Sequence, residues 1–172
     1  GQALTLNAAL ASGSTVDVTN AGTFTTVALG DITATGAFTQ DGAGTSSLAG
    51  DITTTNSNIS FATGITLTGP VAMTTGGGAG TITFSETVDG TTAGTETLTL
   101  TAGTGNIDFD GIVGGTTEVG AVTINSAADV TADAAFDAAS IRQVAGSGTT
   151  TFSGAVDTSA VEGIEVDGTN FD

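Results

Sequence analysis

The sequence predicts an all-β protein wound into a right-handed parallel β-helix (β-solenoid) with coils of about 20 residues. Three observations lead to this prediction. A motif returns about every 20 residues, short segments alternate apolar with polar residues, and the composition is rich in Gly and Thr without Cys, Trp, Tyr or His. Crossovers between parallel strands are strongly biased to the right hand, which gives the expected sense of the coil. A tandem array of β-sandwiches is the alternative, and it is less favoured because a repeat of about 20 residues is too short to form a sandwich.

The repeat is visible as GDITAT from Gly30 and GDITTT from Gly50. A wider motif begins with Gly-x-Gly at four places: Gly42, Gly78, Gly103 and Gly146. One inward position of these copies holds Leu48, Phe84, Phe109 and Phe152. Including weaker copies, a second inward position is predicted to run through Ile32, Ile52, Val71, Val88, Val113, Val130 and Val156. We therefore expect ladders of Val, Ile, Leu and Phe to form the core of one β-solenoid domain over residues 1–172, with about eight coils, as part of a longer repeat array.

Each element of the predicted coil is a short strand, as in ALTLNAAL, GITLTG and AVTIN. Thr, Val and Ile suit strands because branched side chains pack well on a pleated surface, and Gly, Asn and Asp mark the turns between them. The segment 126–143 has helical composition but still alternates, so it is predicted as strand, with a short helix as the alternative. Phe84, Phe109 and Phe152 are expected to stack if the intervening coils do not separate them.

The charge of the chain excludes several classes of function. Arg142 is the only basic side chain against 18 acids, which gives a net charge of −17. With so little to neutralise phosphate, binding to nucleic acid or to anionic lipid is not expected. No apolar run is long enough to enter a membrane. Disorder is disfavoured because 38% of the residues are hydrophobic and recur in strand-like alternation.

A candidate metal site lies in GTGNIDFDG, where Asn106, Asp108 and Asp110 alternate and are followed by Gly111, like the first half of a calcium loop. A full loop would require a carboxylate at Thr117. In a strand the three side chains share one face, so the favoured interpretation is a solvated outer face. Calcium stays as the alternative, and no other cofactor is expected.

Several stretches together resemble the repeats of very large bacterial "beta strand repeat" surface proteins, which belong with filamentous-haemagglutinin-like adhesins and autotransporter passenger segments. These stretches are GDITATGAF, GITLTGPVAMTT, TAGTETLTLTAGTGNIDF and GAVTINSAADVTADAAF. The resemblance implies an extracellular location at a bacterial cell surface and a β-helical stalk with a role in adhesion or matrix. It implies no catalytic or ligand residues.

The expected function is therefore a non-enzymatic structural module: an adhesin stalk or a self-assembling surface fibre. Its expected partners are copies of itself joined end to end, neighbouring repeats of the same chain, and a host or matrix surface. Ice binding is an alternative because Thr-x-Thr pairs recur, and calcium binding is another. A carbohydrate-active β-helix enzyme is the least favoured, since its acid–base chemistry would depend on carboxylates alone, with Asp108, Asp110 and Glu118 as the only local group.

Overall fold

The computed structural model describes all 172 residues and contains only strands and the turns that join them. The 22 strands are β1 (Leu4–Leu6), β2 (Leu10–Ser12), β3 (Val16–Val18), β4 (Phe24–Thr26), β5 (Ile32–Ala34), β6 (Phe38–Gln40), β7 (Ser46–Leu48), β8 (Ile52–Thr54), β9 (Ile59–Phe61), β10 (Ile65–Leu67), β11 (Val71–Thr74), β12 (Ile82–Phe84), β13 (Val88–Asp89), β14 (Leu98–Thr101), β15 (Ile107–Phe109), β16 (Val119–Ser126), β17 (Val130–Ala132), β18 (Phe136–Gln143), β19 (Thr149–Phe152), β20 (Val156–Thr158), β21 (Ile164–Val166) and β22 (Asn170–Phe171).

The strands form three sheets that run along a rod, and the predicted β-solenoid is confirmed. The sheets contain five, nine and eight strands, and neighbours within each sheet come from successive coils. Every strand pair is parallel, for example β12 with β9 and β15. There are about eight coils of about 22 residues, slightly longer than the predicted 20. The right-handed sense of the coil stays a prediction.

Three of the inward columns of stacked residues run through all eight coils, with one residue per coil. The first column is Leu4, Phe24, Ser46, Ile65, Val88, Val113, Phe136 and Val156. The second column is Leu10, Ile32, Ile52, Met73, Leu100, Ile124, Gln143 and Val166. The third column is Val16, Phe38, Ile59, Ile82, Ile107, Val130, Thr150 and Phe171.

The predicted equivalence of core positions between copies of the motif is wrong in its register. Leu48 lies in β7 and pairs with Leu67, whereas Phe84 and Phe109 pair with each other in a different sheet. The predicted run of Ile and Val residues draws on more than one column: Ile32 and Ile52 belong to the second, Val88, Val113 and Val156 to the first, and Val130 to the third. The reason is that each coil contains three strands with similar sequence patterns. Aligning the copies of the motif therefore placed strands from different sheets at the same position.

The apolar residues of that prediction nevertheless lie in the interior. Nine of the eleven are buried, and Phe152 and Val156 are partly buried against the same core. Thirty buried residues form one cluster that runs through the rod. Burying a large aliphatic or aromatic side chain contributes about 1.5–3 kcal/mol, so this continuous cluster is the main favourable term for folding.

All eight phenylalanines stack along the rod. The closest neighbours are Phe84 and Phe109, whose ring centroids are 5.0 Å apart. The series is Phe24, Phe38, Phe61, Phe84, Phe109, Phe136, Phe152 and Phe171, with every centroid distance at or below 6.3 Å. The coil between Phe109 and Phe152, which has Ala132 in the equivalent position, does not interrupt the stack, because Phe136 enters the gap from another sheet.

The segment 126–143 is strand, as predicted, and the helical alternative is wrong. Its last part, β18, has eight residues and pairs with both β20 and β21. β18 therefore connects two sheets that are separate in the earlier coils.

The Gly-x-Gly motifs mark turns at which the backbones of stacked coils touch. A Cβ atom on Gly44 would lie 2.0 Å from the carbonyl oxygen of Gly22, and one on Gly105 would lie 2.1 Å from that of Gly80. These distances are far inside van der Waals contact, so only glycine fits. The motif is thus a packing requirement of the solenoid.

Candidate functional site

The three candidate calcium ligands lie on one outer row of the eight-stranded sheet. Ile107 and Phe109 point into the core, and Asn106, Asp108 and Asp110 alternate with them on the other side. Asp108 is flanked in the neighbouring coils by Thr83 and Thr131. This is the arrangement expected for the outer face of a strand.

The side chain of Asn106 is hydrogen-bonded to the next coil of the solenoid. Its Oδ1 accepts a hydrogen bond from the backbone N–H of Asp129 at 3.1 Å. In turn Oδ1 of Asp129 accepts one from the backbone N–H of Thr149 at 2.8 Å. These side chains satisfy backbone donors at turns, where the sheet ladder is interrupted. They have a structural task that does not require a metal.

Hydrogen bonds of this kind recur along the rod. Carboxylate and amide oxygens of Asp and Asn side chains in one coil accept hydrogen bonds from backbone N–H groups of the following coil, and we call these side chains the inter-coil acceptors. They are Asp31, Asp51, Asn56, Asn58, Asp89, Asn106 and Asp129. No sequence motif predicted this set of residues. The available signal was the Gly-Asp pair at the start of GDITAT and GDITTT, which holds Asp31 and Asp51.

Asp108 lies among other acids without forming a metal cage. Partial burial raises the pKa of Asp108, and repulsion from Asp110, Asp133 and Asp129 raises it further. However, no three acids of the chain converge on a point where a cation would fit. Calcium takes six to eight oxygen ligands, and calcium binding at this outward row stays a prediction.

The most buried carboxylate belongs to Glu96, which sequence reasoning did not single out. Its Oε2 accepts hydrogen bonds from the backbone N–H groups of Thr91 and Thr92 at 3.0 and 2.9 Å. Desolvation opposes ionisation, but these donors, Thr92 first, and the N–H of Glu96 itself outweigh it and lower the pKa of Glu96. The carboxylate closes the turn between β13 and β14 from inside. No polar cleft lies beside it, so its role is to hold the loop.

A column of threonines lies on the outer face of the nine-stranded sheet. Thr33 pairs with Thr53, Thr53 with Thr74, and Thr74 with Thr101. The register brings Thr74, the third residue after Val71, into this column. Four hydroxyls and four methyl groups therefore follow each other at the spacing of stacked strands, about 4.8 Å.

The first and last coils of residues 1–172 carry exposed apolar side chains. No strand of this chain pairs with the outer edges of β1, β2 and β3, or with those of β20, β21 and β22. At the first coil, Leu4 and Leu10 are 50% and 38% exposed. At the last coil, Ile164 and Phe171 are 47% and 63% exposed, and Val166 lies beside them in an open apolar depression.

The flank of the rod has only shallow depressions. The largest, about 400 Å³, crosses several coils and is lined by Ala28, Ala49 and Pro70 together with Asp31 and Asp51. Both carboxylates already accept backbone hydrogen bonds as inter-coil acceptors. The depression therefore offers no free acid–base pair.

The architecture defines the chain as a parallel β-solenoid. Comparison with protein-family models, with curated proteins and with solved structures finds no match. None of its elements is a helix suited to crossing a bilayer.

Proposed function

We propose that this chain is a non-enzymatic structural module of an extracellular surface, in which stacked coils form a stalk or a fibre. The observation that carries the proposal is a single apolar core that runs through a rod of stacked parallel coils. A rod of this kind can be extended by further coils of the same chain or by another copy. Its task is to span distance and to present a surface.

The chemistry of the surface supports a structural task. Of the acids in the candidate catalytic group, Asp108 and Asp110 lie on the outer row, and Glu118 accepts a hydrogen bond from Ser159. The only basic side chain, Arg142, pairs with Glu165 at 3.0 Å. General acid–base chemistry needs groups held together in a cleft, and the proposal assigns these residues to surface and packing roles.

The proposed cell-surface location rests on the resemblance to adhesin repeats. Cell fractionation is a direct test of it. Fractionation of the source cells, with an antibody raised against this chain, is expected to find it on the outer surface and sensitive to added protease. A protease-protected cytoplasmic pool would contradict the proposal. Small-angle scattering of the purified chain should give a rod of about 40 Å, the length of eight coils spaced by about 4.8 Å.

Ice binding is a second candidate, favoured by the column Thr33, Thr53, Thr74 and Thr101. Regular hydroxyl and methyl groups on a flat sheet can order water. The test is thermal hysteresis of the wild type and of Thr53→Val/Thr74→Val. Hysteresis that falls in the double variant would support this function, and its absence in the wild type would reject it.

A further inference from the structure

One asparagine of the chain stands in the acceptor motif for N-linked sugar. Asn58 is followed by Ile59 and Ser60, which gives Asn-x-Ser with a residue other than proline in the middle. No other asparagine of residues 1–172 has Ser or Thr two residues further on. Transferases that attach sugar to asparagine require this hydroxyl, and the motif is typical of surface segments of secreted proteins.

Both polar residues of this motif lie on the outer face of the eight-stranded sheet. Asn58 is exposed directly before β9, whereas Ile59 is fully buried in the third column. Ser60 lies on the outer side of β9, between Thr39 and Thr83 of the neighbouring coils. Alternate residues of a strand share a face, so the amide of Asn58 and the hydroxyl of Ser60 both face outward.

The side-chain oxygen and nitrogen of Asn58 are in different environments. Asn58 is one of the inter-coil acceptors, and its Oδ1 accepts a hydrogen bond from the backbone N–H of Thr81 at 3.0 Å. Its Nδ2 donates to no group of the chain, whereas the Nδ2 atoms of Asn20 and Asn125 both have acceptors. A sugar bonded to Nδ2 leaves the amide carbonyl in place. The hydrogen bond to the next coil is therefore compatible with the modification.

The surroundings of Asn58 leave room for a sugar. The backbone N–H of Phe38 donates to the carbonyl of Asn58, so the small residue Ala37 lies beside Asn58 in the preceding coil. Stacked strands are only about 4.8 Å apart, so a group as wide as a pyranose ring needs small neighbours. Asn58 also follows directly on the turn 55–57, where a bulky group can extend past the edge of the sheet.

We propose that Nδ2 of Asn58 is the attachment site of an N-linked sugar. Nδ2 forms a bond with the anomeric carbon of a sugar that is activated as a phosphate ester. The bond between that carbon and the phosphate oxygen breaks, and one amide proton passes to a base of the transferase. The inference rests on the proposed extracellular function, because such sugars are typical of secreted proteins, and it adds a covalent modification to one face of the rod.

Mass spectrometry of the chain purified from its source cells tests the attachment. A protease that cleaves at acidic residues releases the segment between Asp51 and Glu86, which contains Asn58. We expect this segment to be heavier than its sequence by at least one monosaccharide, with the extra mass located on Asn58 by fragmentation. An unmodified Asn58 would overturn the inference. It would leave the proposed function intact if fractionation finds the chain on the outer surface, because a stalk does not need a sugar.

Three variants expressed in the same cells test the motif. Asn58→Gln removes the acceptor, and Ser60→Ala removes the hydroxyl but keeps the amide and its bond to Thr81, so both should lose the added mass completely. Ser60→Thr keeps a hydroxyl and should keep the sugar. Added mass on Asn58 of Ser60→Ala would overturn the assignment to this motif. Because Ser60 lies on the outer side of β9, Ser60→Ala should change stability by no more than about 0.5 kcal/mol, which thermal melts establish.

Asn106 is the matched control within the wild type. It occupies the same position relative to its strand as Asn58, and its Oδ1 also accepts from the next coil, at 3.1 Å. It is likewise followed by a buried isoleucine, but its third residue is Asp108 in place of a serine. Asn106 should therefore stay unmodified. Sugar on both asparagines would contradict the role given to the hydroxyl of Ser60.

Discussion

Single residues in this solenoid are best understood by the column in which they lie. Ser46 is buried in the first column between Phe24 and Ile65, and its Oγ has no hydrogen-bond partner. An unpaired buried hydroxyl costs about 1–3 kcal/mol of folding free energy. The position therefore holds a polar group where the column favours an apolar one.

We predict that Ser46→Ala stabilises the protein by about 1 kcal/mol, because it removes the unpaired hydroxyl and keeps most of the volume. Thermal unfolding followed by circular dichroism measures the change. Ser47→Ala is the matched control, because Ser47 is the next residue of the same strand on the outer side, where changes are within about 0.5 kcal/mol. Destabilisation by Ser46→Ala would show that the hydroxyl has a bonding role.

We predict that Glu96 makes the free energy of unfolding decrease at acidic pH. Its pKa is lowered in the folded state, so its contribution is present above the unfolded pKa and is lost as pH falls through the folded one. At neutral pH, Glu96→Gln should destabilise the protein by about 1–2 kcal/mol, because a charged acceptor of two backbone donors becomes neutral. The difference from the wild type should shrink in melts recorded at progressively lower pH.

Asp108 provides a control for Glu96, because its expected effect on the pH dependence of stability has the opposite sign. Its pKa is raised, so its ionised form disfavours folding, and stability is lost as pH rises through the folded pKa. Asp108→Asn should therefore raise the melting temperature at neutral pH and have little effect in acid. If both variants moved in the same direction at neutral pH, the assigned environment of one carboxylate would be wrong.

Asn106 should act through its side-chain oxygen. Asn106→Ala removes the acceptor for the N–H of Asp129 and is expected to cost about 1 kcal/mol, whereas Asn106→Asp keeps an oxygen acceptor and should cost less. Thermal melts compare the two variants with the wild type. A melting temperature that rises with added calcium in the wild type but not in Asn106→Ala would instead identify a calcium ligand.

Whole strands derive their stability from the aromatic stack. Phe84 lies between Phe61 and Phe109 in the middle of the rod and is 1% exposed. Phe84→Ala should cost about 3–5 kcal/mol, because it removes a buried ring and leaves a cavity that rigid neighbours cannot fill. Thr83→Ala, on the outer side of the same strand, is the control in denaturant melts. An equal effect of both variants would mean that the stack adds nothing beyond the strand.

The strands and their inward faces could be predicted from the sequence because alternation is a local property. Phe109 was expected inside and Asp108 outside, and both lie there. The register between coils was not predictable in the same way. Leu48 and Phe84 occupy equivalent places in their motif copies but belong to different sheets, because three strands of one coil share the same pattern.

The candidate site illustrates the same limit. The outward direction of Asn106 follows from its strand, but its role depends on which N–H of the next coil passes beside it. That information lies 23 residues further on, at Asp129, and no spacing rule links the two. Glu96 was missed for a similar reason, since its donors belong to a turn whose path is fixed only when the neighbouring coils are stacked.

The whole molecule behaves as a charged rod with almost no internal neutralisation. Its net charge is −17, and the bond between Arg142 and Glu165 is its only ion pair. We predict that raising NaCl from low to moderate concentration increases the melting temperature, because salt screens repulsion between acids on neighbouring coils. Each kcal/mol regained should appear as roughly 2–4 °C.

Asp110→Asn/Asp133→Asn is the variant that checks this origin. The two side chains lie beside Asp108, and their loss should raise the melting temperature at low salt and reduce its dependence on NaCl. A salt response that is unchanged in this variant would point to a general effect of salt on hydration instead of repulsion among these acids.

The phenylalanine stack also gives the rod an optical signature. The chain has no Trp or Tyr, so its near-ultraviolet absorption comes from phenylalanine alone, and each ring has another within 6.3 Å. Rings held at fixed angles in a chiral array couple their transitions, whereas rings on an unfolded chain do not. The fine structure of near-ultraviolet circular dichroism is therefore a label-free gauge of how many coils are stacked, and it would lose intensity ring by ring if the rod frayed from an end.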